Sequence, residues 1–98
     1  MEDDKRQYII DLYDLYGVLL TDKQREYFED YYFMDLSITE MAENYSISRN
    51  GVHDQLKRSV NALEEYESKL HLYLKFKKID SMDIKPNLKE ELLSLLKE

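Results

Sequence analysis

Six nitrogen-bearing side chains crowd into ten residues near the middle of this 98-residue chain: Arg49, Asn50, His53, Gln55, Lys57 and Arg58. Arginine, asparagine, glutamine and lysine are the side chains that pair with base edges and phosphates in a major groove. If this stretch is helical, Val52 and Leu56 turn inward and Arg49, Asn50, His53, Asp54, Lys57 and Arg58 outward, with Gln55 at the margin. The chemistry on offer is therefore recognition. Catalysis has no comparable apparatus. The chain has no cysteine, which excludes disulfides, thiolate nucleophiles and thiolate zinc sites together. No serine or threonine sits in a nucleophile motif, and two glycines build no phosphate loop. His53 and His71, placed on one continuous helix, stand ~27 Å apart by helical rise and cannot share a metal ion. Glu64, Glu65 and Glu67 occupy neighbouring helix positions that point to different sides, the pattern of a solvated face. No enzyme activity, metal or cofactor is expected.

The elements that must position those six side chains announce themselves by their caps. Ser37-Ile-Thr-Glu40 is a capping box opening a short helix whose inward face is Met41, Ala42 and Tyr45. Ser48 caps the next helix, with Ile47 before it and Val52 inside it placed to close as a hydrophobic staple. Two capped helices joined by about four residues, with a small Ala42 where they would cross, are the layout of a helix-turn-helix. Ahead of it, Tyr8, Leu12, Leu15 and Tyr16 recur at helical spacing, and Gly17 follows where a left-handed C-cap would want it. Thr21 and Gln24 form a further capping box, opening a helix with the stripe Tyr27, Phe28, Tyr31 and Tyr32. From Arg49 no breaker appears until about Asp80, so a helix of ~30 residues and ~45 Å is expected. Leu56, Leu63 and Leu70 stand seven apart along it, with Tyr66 and Tyr73 three beyond the last two. Pro86 or Asn87 begins a last helix bearing Leu88, Leu92, Leu93, Leu95 and Leu96. Helical spacing makes most of the nine tyrosines core residues rather than base-stacking platforms, with Tyr32 and Tyr73 open as partner contacts.

Charge limits how tightly such a protein can hold nucleic acid. The net charge is −7. Residues 1–36 carry ten acids and four bases, residues 37–60 three of each, and residues 61–98 eight acids and seven bases. Duplex affinity comes mostly from phosphate neutralisation, so Arg49, Lys57 and Arg58 predict weak or dimer-dependent binding. Asp54 and Gly51 work against it: one puts a negative charge on the outward face, and the other costs up to ~1 kcal/mol relative to alanine. No apolar run approaches the ~18 residues of a membrane span, and residues 1–5 lack the basic-then-apolar pattern of a signal peptide.

The stretch from Ser37 to Arg58 resembles the C-terminal helix-turn-helix of bacterial sigma factors. Together with Leu19-Leu-Thr-Asp-Lys-Gln-Arg-Glu-Tyr27 and Leu63-Glu-Glu-Tyr-Glu-Ser-Lys-Leu70, it resembles more closely the YlxM family of small bacterial proteins, over roughly residues 7–76. The resemblance implies a sigma-like DNA-binding motif, a bacterial cytoplasmic setting, and an association with the signal recognition particle pathway, including its RNA or protein components.

The fold expected is all-α, about five helices, with the helix-turn-helix at 37–58 and a long helix continuing from the recognition helix. Residues 1–78 would form the domain and 79–98 a connector and amphipathic dimerisation arm. Leu63, Tyr66, Leu70, Tyr73, Leu88, Leu92 and Leu95 are the expected homodimer contacts, because they leave more apolar surface than a small monomer hides. In a regulatory, non-enzymatic DNA-binding protein, Arg49, Asn50, His53 and Gln55 would meet bases, and Ser48, Lys57 and Arg58 phosphates. The alternative is a protein-interaction module on the same scaffold, steering a basic partner with Asp11, Asp14, Glu29 and Asp30.

Overall fold

A computed structural model describes residues 2–97 and contains six α-helices and one 3-10 turn, with no strand among the described residues. They are α1 (Glu2–Tyr16), the turn Gly17–Leu19, α2 (Asp22–Tyr32), α3 (Ile38–Tyr45), α4 (Arg49–Leu70), α5 (Leu72–Asp80) and α6 (Pro86–Lys97). All three N-caps read from the sequence are present. Thr21 Oγ1 accepts from the Gln24 N–H (3.1 Å) and Ser37 Oγ from the Glu40 N–H (3.0 Å), each with the reciprocal side-chain bond of a capping box. Ser48 Oγ accepts from the Gly51 N–H (3.0 Å).

The core lies in two parcels that share α4. Ile9, Leu12 and Tyr16 of α1 meet Leu20, Phe28 and Leu63 in the first. Tyr27, Met41, Ala42, Val52 and Leu56 form the second, under the helix-turn-helix. Aromatic rings fill the space between α1 and α2: Tyr13 and Tyr32 each stack on Phe28 with centroids 4.3 Å apart. Beyond this body α6 packs against α5, anchored by Lys89 Nζ donating to the Asp80 carbonyl (2.7 Å) and by a Lys97–Asp14 ion pair (3.5 Å).

Three expectations need correction. There are six helices, because the long one does not run to Asp80. It stops at Leu70, and His71 takes a left-handed conformation (φ 56°) from which α5 departs. The break is made by Glu67, which is buried rather than solvated. Its carboxylate accepts from the Tyr73 N–H (2.9 Å) and the Leu74 N–H (3.3 Å), while Tyr16 Oη accepts from the Leu72 N–H (3.1 Å) and donates to Glu67 (2.6 Å). The first N–H groups of α5, which no helix can satisfy internally, thus find partners one turn back and on α1. Gly17 is not a left-handed cap either, since no glycine has positive φ. It opens the 3-10 turn, and a Cβ there would lie 3.0 Å from the Tyr13 ring.

The seven-residue seam is likewise divided. Leu56 and Leu63 belong to the intrachain core, and Leu63, with no exposed surface, has none to give a second copy. Tyr66 and Tyr73 pack against the same core, Tyr73 edge-on to Tyr8 at 4.8 Å. Leu70, Leu88 and Leu95 do stand exposed, and Leu92 is half-buried.

Candidate nucleic-acid interface

Helix α3 ends at Ser46, which turns left-handed at φ 56°, and the Ile47 N–H returns to the Ala42 carbonyl (3.1 Å). Three residues later α4 begins. Tyr27 and Tyr45, with centroids 4.3 Å apart, brace α3 against α2. The Tyr45 hydroxyl donates to Asp30, and burial first, then that bond, pushes its pKa up. Gly51 fits this tight entry. A Cβ would sit 3.3 Å from both Ile47 Cδ1 and Ser48 Oγ, against the cap itself.

Val52, Leu56 and Ser59 face inward from α4, so Arg49, Asn50, His53, Lys57 and Arg58 all stand exposed on one side. Arg49, Lys57 and Arg58 form no ion pair within 4 Å among the described residues. Ser48 is exposed at the head of the same face, its oxygen engaged in the cap and its hydroxyl proton available to an acceptor. Gln55 does not join them. It lies half-buried, about 160° around the helix from Lys57 at 3.6 residues per turn. Asp54 is exposed among the cations, as the sequence indicates.

Two cations invisible to segment-by-segment charge join the site from α1. Lys5 and Arg6 line a groove of about 500 Å³ with His53 and Lys57, closed below by Ile9 and Leu56. Arg6 is fixed there, donating to the Tyr32 carbonyl (3.2 Å) with its guanidinium 5.0 Å from the Tyr32 ring centre. Burial raises the Tyr32 pKa, and Arg6 opposes the rise only in part. A sum over residues 1–36 hides this, because it averages the first turns of α1 with acids on its other faces. The acids expected to steer a partner also divide. Glu29 accepts from the Tyr13 hydroxyl and Asp30 from Tyr45, whereas Asp11 and Asp14 line a groove with Val18, Phe33 and the cation Arg25.

The family described as "Putative helix-turn-helix protein, YlxM / p13 like" (UPF0122) matches residues 3–97. The chain belongs to this family. A UPF0122 protein of Limosilactobacillus reuteri is 49% identical over 76 residues, covering 78% of this chain and 67% of that relative. One from Caldanaerobacter subterraneus subsp. tengcongensis is 59% identical over 64 residues, covering 65% and 55%. One from Malacoplasma penetrans is 51% identical over 65 residues, covering 66% and 61%. The aligned stretch thus spans between about half and two thirds of these relatives' own lengths. In this UPF0122 member no helix among the described residues is long and apolar enough to cross a membrane, and no cluster of three metal-ligating side chains forms.

Proposed function

We propose that this chain is a non-enzymatic regulatory protein that binds nucleic acid through the exposed face of α4. The observation that carries the proposal is the conjunction of a braced helix-turn-helix with three α4 cations, Arg49, Lys57 and Arg58, that have no carboxylate within 4 Å among the described residues. Lysine and arginine left unpaired on a capped helix are available to phosphates without first breaking an internal bond. Lys57 and Arg58 meet phosphate in this reading, and Arg49, Asn50 and His53 meet base edges. Lys5 adds a fourth cation, and Arg6, which already lies 3.9 Å from the Asp35 carboxylate, a partly neutralised fifth; together they are enough for moderate affinity and too few for tight binding. A role in the signal recognition particle pathway and residence in the bacterial cytoplasm follow from the YlxM resemblance and form the finer part of the proposal.

The test is a salt titration of the full chain with a DNA duplex and with signal recognition particle RNA. Binding should fall as salt rises, and Arg49→Ala with Lys57→Ala should flatten the log–log slope by about 0.9 for each phosphate no longer neutralised. A slope unchanged by that double substitution would remove α4 from the interface.

We also propose homodimerisation through the leucines that stay exposed, Leu70, Leu74, Leu88 and Leu95. Their solvent-facing side chains on α4, α5 and α6 support it. Sedimentation should show a concentration-dependent dimer that Leu74→Glu weakens; a monomer at every concentration sinks it. A second reading, protein docking, is favoured by Val18, 79% exposed beside half-exposed Phe33 and acidic Asp11. That patch suits a basic amphipathic partner, whose association Asp11→Lys should slow.

A further inference from the structure

The groove between α1 and α4 combines two chemistries. Its rim is cationic, with Lys5, Arg6 and Lys57 converging from distant parts of the chain, Glu64 on the groove wall and Asp35 against Arg6. Its floor is apolar, made by Ile9, Leu56 and Val60. A bare phosphate needs the rim and has no use for the floor. An acidic peptide would also leave the floor unmatched. A volume of about 500 Å³ holds a nucleotide, whereas a duplex could touch only the rim.

Lys5 and Lys57 form no ion pair within 4 Å among the described residues, and Arg6 is held in place by the Tyr32 carbonyl and the Asp35 carboxylate (3.9 Å). Asn61, exposed on the groove wall, adds an amide that can both donate to and accept from a base edge. His53 and Lys57 belong both to this groove and to the exposed face of α4, so a strand leaving that face enters the groove without a gap.

We infer that the groove takes one unpaired nucleotide of a nucleic acid whose adjoining duplex lies against α4. Its phosphate sits between Lys5 and Lys57, its base covers the apolar floor, and Asn61 reads the base edge. The inference rests on the nucleic-acid reading of α4 and deepens it. The preferred ligand becomes a stem with a bulge or junction, where bases splay out, rather than an uninterrupted helix.

Fluorescence anisotropy of the full chain against two RNA stems, identical except for a single-nucleotide bulge, tests this. The bulged stem should bind about tenfold more tightly, the scale of one base leaving water for a complementary surface. Lys5→Glu with Asn61→Ala, both exposed and outside the helix-turn-helix, should abolish that preference and weaken the plain stem only a few-fold. Equal binding of both stems, with plain-stem binding still abolished in Arg49→Ala with Arg58→Ala, overturns the groove and leaves α4 standing. No binding of either stem overturns both. Displacement of the bulged stem by polyglutamate as readily as by an unlabelled oligonucleotide also overturns the groove, because the floor would then contribute nothing.

Discussion

Replacing Glu67 by alanine removes the carboxylate that ends α4 and begins α5. Three groups then lose their acceptor: the Tyr16 hydroxyl, 2.6 Å away, and the N–H groups of Tyr73 and Leu74. Tyr16 is 1% exposed, so its hydroxyl proton has no water to turn to. The two amides lie at a half-exposed helix start, where water can partly replace the carboxylate. At ~1–3 kcal/mol per buried group left unpaired, with the amides at the low end, the loss should be about 2–4 kcal/mol. That is a large share of the ~5–15 kcal/mol expected of a domain this size, and corresponds to a Tm lowered by about 10–25 °C. Glu67→Gln keeps one acceptor oxygen but turns an NH2 toward other donors, and should lose about half as much. Urea unfolding followed by circular dichroism measures both, alongside Tyr16→Phe and the double variant. Because Tyr16 and Glu67 share one bond, their effects should fall short of additivity by at least ~0.5 kcal/mol. A cost below ~1 kcal/mol for Glu67→Ala, or strict additivity with Tyr16→Phe, would show that the carboxylate does not hold the junction.

Alkaline pH should attack the same network. Burial, and next the bond to Glu67, pushes the Tyr16 hydroxyl up to about 12 from 10.0, so the folded chain holds that proton more tightly than the unfolded one. The stabilisation is whole below pH 10 and drains away toward pH 12, and a pH series of unfolding midpoints should show Tyr16→Phe losing less over that window. Ser37→Ala removes the acceptor for the Glu40 N–H and should cost about 1 kcal/mol in thermal unfolding. In Gly51→Ala the helix gains up to ~1 kcal/mol of propensity, offset as Ile47 Cδ1 gives way beside the Ser48 cap. The net change by the same measurement should lie within ~0.5 kcal/mol of zero, and a loss above ~2 kcal/mol would mean that the cap itself breaks.

Much of the fold was legible because it is written locally. The caps at Thr21, Ser37 and Ser48 need only an oxygen and an N–H three residues on, and a local pattern carries that information. The inward set Met41, Ala42, Val52 and Leu56 follows from helical period alone, and so do the exposed Arg49, Asn50, His53, Lys57 and Arg58. The end of α4 was not legible, because apolar spacing runs on past His71 and neither glycine nor proline marks the break. It is made by a tertiary bond between Glu67 and Tyr16, 51 residues apart. Nor could the sequence show Lys5 and Arg6 beside α4, since that neighbourhood exists only once α1 crosses it. Gln55 misses the outward face by a margin of geometry: it sits on the flank of the buried face opposite His53.

The division of the core has a consequence for motion. Helix α3 is held almost wholly by the second parcel, whereas α1 and the C-terminal half of α4 belong to the first. Such a parcel can act as a foldon, opening at a lower free energy than the whole chain. Amides of α3 should then exchange with solvent through a partial opening that leaves α1 protected, and ligand bound on α4 would slow that exchange first. The helix that braces the recognition face would be a separately adjustable layer, loosened or tightened without disturbing the body that carries it.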